Sequence, residues 1–562
     1  MQNTEILDLI IKKAIKNNCD DREQFQKLKN EVYKVYKLKK PLASTQFIER
    51  YNKLVKDWVV KDSNAFRKVI RKRWVRSMSW VSVISLLTKF FWCPWKCIYC
   101  PTFEWLPKSY IPNEPAVQRA ELNQFDPILQ IHNRLRSLEA TGHKIEKNDI
   151  RIIGWTWSVY PKKYRDDFIK WIYDAFNSYD EMSEFIESID FSKDKFATFK
   201  LKKWYEQKES KTLDEAKKIN ETSRLRVIWM AIETRPDWIS LEELKSFREY
   251  GITRVEIWYQ TTFDEINELN KRWHWNFESI KATRMLKNAW FKVVAHMMPN
   301  LIWSNPEMDK ESLARVFDDS DFRPDELKIY PMVVTDKSEL TDIWKKWLFK
   351  PYDDETLIEL TAELEMMVPE YIRLNRTYRD IPASEIIAWS HLSNLRQLVE
   401  QRVEKKWWIL KDIRHREIRW KWNDPKNAIL NDLKYEASSG IEHFLTFEDP
   451  EDKTIFSLLR LRLPNLEDSK NDWIFDVLPE LEWAALIREI HTFWDQLSIW
   501  EAWTTFGQHL WFGKKLIAKS EELAIKAWYK KMAVIAWVWV RAYYEKRWYL
   551  LMWEYMVKNL TL

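Results

Sequence analysis

Cys93-Pro94-Trp95-Lys96-Cys97-Ile98-Tyr99-Cys100 follows the apolar run Val81–Thr88 and places three thiols on one short loop with CxxxCxxC spacing. Three thiolates this close can hold three irons of a [4Fe–4S] cluster and leave the fourth iron open for an external ligand. A zinc site would need a fourth ligand, and Cys19 or a histidine could supply it only from far away in sequence. The loop comes after the first of six apolar runs, the others being Ile150–Gly154, Leu225–Thr234, Arg254–Gln260, Lys292–Pro299 and Leu327–Val334. Amphipathic stretches at 126–140, 161–177, 241–250 and 276–289 separate them. Strands alternating with helices predict parallel βα units, closed in part into a barrel.

Outward from this core the chain changes character twice. Residues 1–76 carry 20 Lys/Arg against 9 Asp/Glu, a net of +11, whereas the whole chain is only +6. Charge runs are usually solvated helix faces. A surplus confined to one end, densest at Arg67, Lys68, Arg71, Lys72 and Arg73, points instead to a segment that binds RNA phosphates. Past the barrel, residues 346–429 read as a charged helical linker. Residues 430–562 read as an α+β domain with strands near 441–447, 454–463 and 484–492, a helix at 513–527 and a strand at 531–538. The expected divisions are therefore 1–76, 77–345, 346–429 and 430–562. Four cysteines, three of them within eight residues, indicate a reduced, cytoplasmic protein with a metal site rather than a disulfide framework. The amino terminus does not read as a secretory signal, and no run of eighteen uncharged apolar residues suggests a membrane span.

Composition adds an anomaly. The chain has 35 Trp and 6 Gly, where about 7% Gly, or roughly 40 residues, is ordinary for this length. Tyr250-Gly251-Ile252 joins a helix to a strand through the expected left-handed glycine, but the equivalent joints read Ala289-Trp290-Phe291, Ala527-Trp528-Tyr529 and Arg547-Trp548-Tyr549. Bulky residues avoid positive φ. The expectation is that the gene encodes glycine by UGA and that UGA is written here as tryptophan, with Trp157 and Trp344 among the genuine tryptophans.

Two further stretches carry chemistry. Ile152-Ile153-Gly154-Trp155-Thr156 ends the second strand and reads Gly-Gly-Thr once glycine is restored at 155. Gln508-His509-Leu510-Trp511-Phe512-Gly513 opens a helix whose backbone N–H groups suit a diphosphate, and strand Met532–Ala536 and Tyr543-Tyr544 follow it. The cysteine loop with Gly154–Thr156 resembles the radical S-adenosylmethionine (radical SAM) superfamily, and the second motif resembles the coenzyme A loop of GNAT acetyltransferases. The pair on one chain looks like the catalytic subunit of the Elongator family and its stand-alone bacterial and archaeal relatives. The resemblance runs from about residue 60 to the end through Pro107-Lys108-Ser109-Tyr110, Glu233-Thr234-Arg235-Pro236-Asp237, His296-Met297-Met298-Pro299, Phe322-Arg323-Pro324-Asp325 and Arg379-Asp380-Ile381-Pro382. Trp92, Trp95, Trp229, Trp258, Trp273, Trp290, Trp303, Trp511 and Trp548 fall where that family's pattern has glycine.

The fold class implied is α/β, a partial (β/α)6 radical SAM barrel followed by an α+β GNAT-like domain. The activity implied is modification of the tRNA wobble uridine. A deoxyadenosyl radical takes hydrogen from the methyl of acetyl-CoA, the carbon radical adds to uracil C5, and hydrolysis leaves 5-carboxymethyluridine. The resemblance assigns Cys93, Cys97 and Cys100 to the cluster and Gly154, Trp155 (as glycine) and Thr156 to S-adenosylmethionine. It assigns Lys147, Glu489, Ile490, His491, Thr492, Phe512, Gly513, Lys514 and Tyr544 to acetyl-CoA, with Lys147 and Tyr544 as catalytic residues. Lys328 on the last barrel strand is read as facing the cavity. The expected partner is a tRNA anticodon stem-loop, and a homodimer is allowed for. Some relatives carry extra cysteines between the domains, but Leu410–Glu417 has none, which argues against a structural zinc there. Two other readings stand beside this one. A protein lysine acetyltransferase would use Glu489 or a tyrosine as acid/base, and a non-catalytic tRNA-binding protein would follow if Trp155 and Trp511 are literal.

Overall fold

The computed structural model describes residues 3–36, 38, 41–71, 81–189, 197–388, 395–418, 423–493, 509–535 and 540–560. The six expected strands form, as β1 (Ser82–Leu87), β2 (Lys147–Ile153), β3 (Arg226–Thr234), β4 (Arg254–Gln260), β5 (Lys292–Met297) and β6 (Glu326–Ile329). They pair in parallel in chain order, each crossover running through helix. Helices cover the outer face, so β5 is buried at every position, as strands of a parallel sheet are. Beyond β6 the chain turns aside into β7 (Val334–Thr335). It then returns as β8 (Arg373–Arg376), which adds a seventh parallel strand, while β7 pairs with β9 (Ile386–Ala388). Among the described residues β1 and β8 do not pair, so the sheet is an open half-barrel. β8 lies in the stretch read as helical; four residues, Arg-Leu-Asn-Arg, are too short and too polar to show a strand period.

A second seven-stranded sheet follows. It comprises β10 (Ile429–Glu436), β11 (Gly440–Glu448), β12 (Ile455–Pro464), β13 (Ala484–Thr492), β14 (Lys531–Val534), β15 (Leu550–Met552) and β16 (Tyr555–Asn559), in the order 10-11-12-13-14-16-15. Only β13 and β14 run parallel, linked through the helix His509–Lys526. β11, β12, β13, that helix and β14 match the sequence pattern. β10, largely exposed, and the short β15–β16 hairpin lacked an apolar run to reveal them.

Four helices precede both sheets, Asn3–Lys16, Arg22–Val35, Ser44–Lys56 and Asn64–Ile70. They enclose their own apolar core, with Ile10, Phe47, Ile48 and Tyr51 at 1% exposure or less.

The helix-to-strand joints show why the tryptophans are anomalous. Gly251 has φ 78°, and Trp290, Trp528 and Trp548 occupy the same left-handed region at 87°, 64° and 67°. Among the described residues, twelve of the 24 non-glycine residues with positive φ are tryptophan, a share far above tryptophan's 35 in 562. A left-handed non-glycine residue costs about 1–2 kcal/mol, so the twelve together would cost about as much as a protein's whole stability, about 5–15 kcal/mol. Many are also stranded in solvent, Trp58 at 93%, Trp347 at 91% and Trp548 at 84% exposure. Trp157 behaves differently: it has ordinary φ, is 1% exposed, and packs edge-on against Phe168 at 5.8 Å. Trp344 also has ordinary φ and packs against the cluster containing Cys97 and Leu340.

Candidate functional site

The cysteine loop lies at the C-terminal end of the half-barrel, beyond β1. Cys97 is buried, and Cys93 and Cys100 are half-buried. A hydrogen bond from Cys100, then Arg272, Arg235 and Lys108, draw the Cys97 thiol down to about 5, against burial. The same hydrogen bond and burial push Cys100 up. Arg272 Nη1 approaches Cys97 Sγ to 3.9 Å, and the Arg235 guanidinium lies 4.0 Å over the Trp95 ring.

Beside the loop, beyond β2, Gly154 has φ 140°, and a Cβ there would stand 2.1 Å from Thr88 Oγ1, so no other residue fits. Trp155 follows with φ 101°, 3% exposed, its indole donating to Tyr160 Oη at 3.1 Å. Thr156 Oγ1 is buried without a hydrogen-bond partner among the described residues. Three thiols on one loop, a glycine at φ 140° and an orphaned hydroxyl fit a site for a cluster and an amino-acid-like ligand, with the Trp155 indole buried among them.

These groups open onto a cavity of about 500 Å³ inside the half-barrel, lined by Cys100, Trp155, Lys108, Arg376, Arg379 and Lys328 among others. Its deep wall is ionic. Lys328 contacts Glu256 and lies 3.8 Å from Glu233, and His296 Nε2 is 2.8 Å from Glu256. Burial disfavours both charges, yet Lys328 and Glu256 keep one another ionised. Burial, with Lys328, lowers His296 to about 4, so its ring is neutral. Burial raises Glu233 to about 7. Glu233, Glu256 and His296 bring ligand atoms within 4.8 Å of one another; the Lys328 ammonium already fills the cation position there. At the rim Arg379 Nη2 grips Glu114 at 2.7 Å and the Ser109 carbonyl at 2.6 Å.

The residues expected to bind acetyl-CoA lie outside this cavity, at the start of β2, on β13 and on the helices His509–Lys526 and Arg541–Glu545. Lys147 begins β2 and is 5% exposed, on the N-terminal rim where Lys292, at the start of β5, donates to Glu489 of β13 at 2.9 Å. Burial disfavours ionised Glu489, but Lys292 and Arg460 outweigh it and hold the carboxylate far below its ordinary range. His491 stacks on Phe493 at 4.3 Å, and Thr492 Oγ1 meets Ser457 Oγ at 2.9 Å. Phe512 stacks on Phe447 at 4.6 Å. Phe512, Gly513 and Lys514, expected as a loop, lie in the first turns of the helix His509–Lys526. At Gly513 a Cβ would meet Tyr543 Oη at 3.5 Å and Ile490 Cδ1 at 3.8 Å, which brings β13, this helix and the tyrosine pair together. Tyr544 is 3% exposed and packs edge-on against Tyr543 and Tyr549. Lys514 is exposed. The Trp511 side chain lies outside the described residues, as do Lys72 and Arg73. Of the other basic residues, Arg67 bonds Asp62 at 2.6 Å and Asn52 at 3.0 Å, Lys68 is exposed, and Arg71 Nε donates to the Gly142 carbonyl at 3.1 Å. Both arginines therefore also brace the helical segment.

The seam between the sheets is a dense network of ion pairs. Asp325, fully buried, receives Arg488 Nη1 at 2.8 Å and the Val293 N–H at 2.9 Å. Arg488 also reaches Glu442 at 3.0 Å, and Glu442 receives Arg462 at 3.0 Å. Sequence gave no role to Arg235, Arg272, Glu256 or His296. Arg235 and His296 stood inside motifs carrying the family resemblance, whereas Arg272 had no signal beyond its place beside Trp273.

Fold and site together define a radical SAM half-barrel joined to an acetyltransferase-like sheet. The family model described as the Radical_SAM C-terminal domain matches residues 324–405. The tRNA uridine(34) acetyltransferase of Methanocaldococcus infernus is 34% identical over 99% of this chain and 98% of its own. Human Elongator complex protein 3 is 30% identical over 99% and 98%. The solved structure of the M. infernus Elp3 with an N-terminal deletion superposes with a TM-score of 0.68 at 32% identity, covering 86% of this chain and all of that one. The chain belongs to the family of the tRNA uridine(34) acetyltransferases and Elongator complex protein 3. Among the described residues no helix is long and apolar enough to cross a membrane.

Proposed function

We propose that this chain modifies the wobble uridine of tRNA, using acetyl-CoA and a radical S-adenosylmethionine reaction to form 5-carboxymethyluridine. The observation that carries the reading is the union, on one chain, of the three-thiol loop over a cationic cavity with an acetyltransferase-like strand, helix start and tyrosine cluster. Relatives named tRNA uridine(34) acetyltransferase support uridine 34 as the target. Bound at the C-terminal rim, the cluster and S-adenosylmethionine would supply a deoxyadenosyl radical. Cys93, Cys97 and Cys100 would hold the cluster, with Gly154, residue 155 and Thr156 against S-adenosylmethionine. Lys108, Arg376 and Arg379 surround a mouth suited to a nucleotide phosphate. An unpaired anticodon base enters such a cavity at low unstacking cost. Ile490, Gly513 and Tyr544 would seat acetyl-CoA, with Lys147 and Tyr544 in the catalytic roles the family resemblance implies. Arg67, Lys68 and the neighbouring basic residues would meet the anticodon-arm phosphates. A protein lysine acetyltransferase is disfavoured because Glu489, locked between Lys292 and Arg460, is a weak base.

The test is anaerobic: reconstituted full chain carrying glycine at positions 155 and 511, S-adenosylmethionine, acetyl-CoA and tRNA. Deoxyadenosine release that requires tRNA, with carboxymethyluridine at the wobble position by nucleoside mass spectrometry, is the expected result. Peptide-lysine acetylation that proceeds without the cluster, and no tRNA product, would overturn it.

A further inference from the structure

The cysteine loop is met from outside its own strand by two arginines. Arg235, just beyond β3, is 1% exposed, and Arg272, in the loop before the helix Asn276–Asn288, is 2% exposed. Arg235 closes its charge on Asp237, through Nε at 2.8 Å and Nη2 at 3.1 Å. Its Nη2 also donates to the Arg272 carbonyl at 2.8 Å, which fixes where the second arginine emerges. Arg272 Nη2 donates to the Trp258 carbonyl at 2.9 Å, and Nη1 faces Cys97 Sγ at 3.9 Å. Arg272 forms no ion pair with a carboxylate among the described residues. Both guanidinium groups keep one buried nitrogen, Arg235 Nη1 and Arg272 Nε, with no acceptor among the described residues. Buried donors are nearly always paired, and an uncompensated buried cation is unfavourable without a counter-charge. Three thiolates and a reduced iron–sulfur cluster would be that counter-charge.

We propose that Arg272, anchored through its carbonyl by Arg235, is a positioning residue that sets the reduction potential of the cluster. The proposal rests on reading Cys93, Cys97 and Cys100 as cluster ligands. Arg272 keeps its proton throughout and makes or breaks no covalent bond. One electron arrives from a low-potential one-electron donor, dithionite in the test, and adds one negative charge beside the guanidinium. Hydrogen bonds and charge around the sulfurs set such potentials. A buried cation favours the more negative, reduced state, so removing it shifts the equilibrium toward the oxidised cluster.

The experiment is a redox titration followed by electron paramagnetic resonance on anaerobically reconstituted full chain. Arg272→Gln is expected to load iron like the parent and to move the reduction equilibrium at least tenfold toward the oxidised form, or 59 mV for a one-electron couple. Arg272→Lys is expected to restore most of the shift, and Arg235→Gln to move it less, in the same direction. Equal midpoints in parent and Arg272→Gln would overturn the proposal. A folded Arg272→Gln that takes up no iron would also overturn it, by making the arginine a requirement for assembly. Failure of the parent chain to bind iron would sink the reading of the cysteines themselves.

A separate observation, the left-handed backbone at twelve tryptophans, carries a second inference. We infer that those positions, Trp155, Trp290, Trp528 and Trp548 among them, are glycine in the protein made by its own cell, through UGA read as glycine. The exposure of most of these indoles and the ordinary φ of the buried Trp157 follow from this. At Trp92, Trp95, Trp229 and Trp258 the backbone is not left-handed, so glycine there rests on the family pattern alone. Peptide mass spectrometry of protein from the native cells is expected to find glycine at 155 and 290, with UGA in the gene. A tryptophan mass, or UGG codons, at those two positions would overturn it.

Discussion

At the N-terminal rim of the half-barrel Lys292 lies 3.5 Å from Glu326 and 2.9 Å from Glu489, Arg254 lies 3.3 Å from Glu326, and Asp325 takes Arg488. At the C-terminal rim the cavity carries Lys108, Arg119, Arg272, Arg376 and Arg379 against Glu114, Glu233 and Asp380. Both ends are dense in buried charge, but the seam cations Lys292, Arg254, Arg460, Arg462 and Arg488 each have a carboxylate within 4.0 Å, whereas Lys108 and Arg272 at the second end have none among the described residues. A network of ion pairs joins two sheets in one register, because each charge removed from water meets its opposite. A cation without a carboxylate is unfavourable until an anion arrives, which suits this end to the cluster, S-adenosylmethionine and nucleotide proposed for it. One rim joins the two sheets, and the other is the proposed ligand site.

The sharpest break in this contrast is at the C-terminal rim. Cys97→Ala is expected to abolish cluster binding and deoxyadenosine release, read by iron content and chromatography, while thermal unfolding barely changes. The reverse pattern is expected at the seam. Arg488→Met leaves Asp325 and Glu442 short of a buried partner, a loss of about 3–5 kcal/mol, read by chemical denaturation, with iron loading retained in the folded protein. If the two variants behaved alike, the division of labour between the rims would be wrong. Trp155→Gly is expected to tighten S-adenosylmethionine at least tenfold, about 1.4 kcal/mol, by calorimetry on the reconstituted chain; unchanged affinity counts against the indole as an obstruction.

The smallest effect is a pH dependence. Glu233 is raised by burial to about 7, above its unfolded value of 4.5, so the folded state holds its proton more tightly. Its contribution is fully present below pH 4.5 and is lost as pH rises toward 7, with a slope of at most about 1.4 kcal/mol per unit. Glu365 and Asp309, raised by burial to about 7 and about 6, act in the same direction. Glu233→Gln should flatten the stability curve between pH 4.5 and 7 in denaturant titrations. An identical curve would place the Glu233 proton outside this balance.

The apolar runs of β1 to β6 were legible because parallel strands buried on both faces are nearly continuous in Val, Ile and Leu. β8 and β10 were not, since one is four residues long and the other is mostly solvated. The cysteine loop and Gly154 could be read directly, as their chemistry lies in local spacing. Ile490, Gly513 and Tyr543 could be singled out, but their meeting could not, because it depends on the helix after residue 509 returning across β13.

By itself the sequence determined the three-thiol loop, the alternation that makes a half-barrel, and the joints where backbone geometry asks for glycine. These are properties of neighbours along the chain, fixed by spacing, periodicity and allowed φ. Tertiary structure alone decided that Arg272 reaches Cys97 across 175 residues and that Arg488 reaches Asp325 across 163. A charge carries no address in the sequence. Its partner is selected only when folding strips both of water and leaves each the nearest compensation for the other.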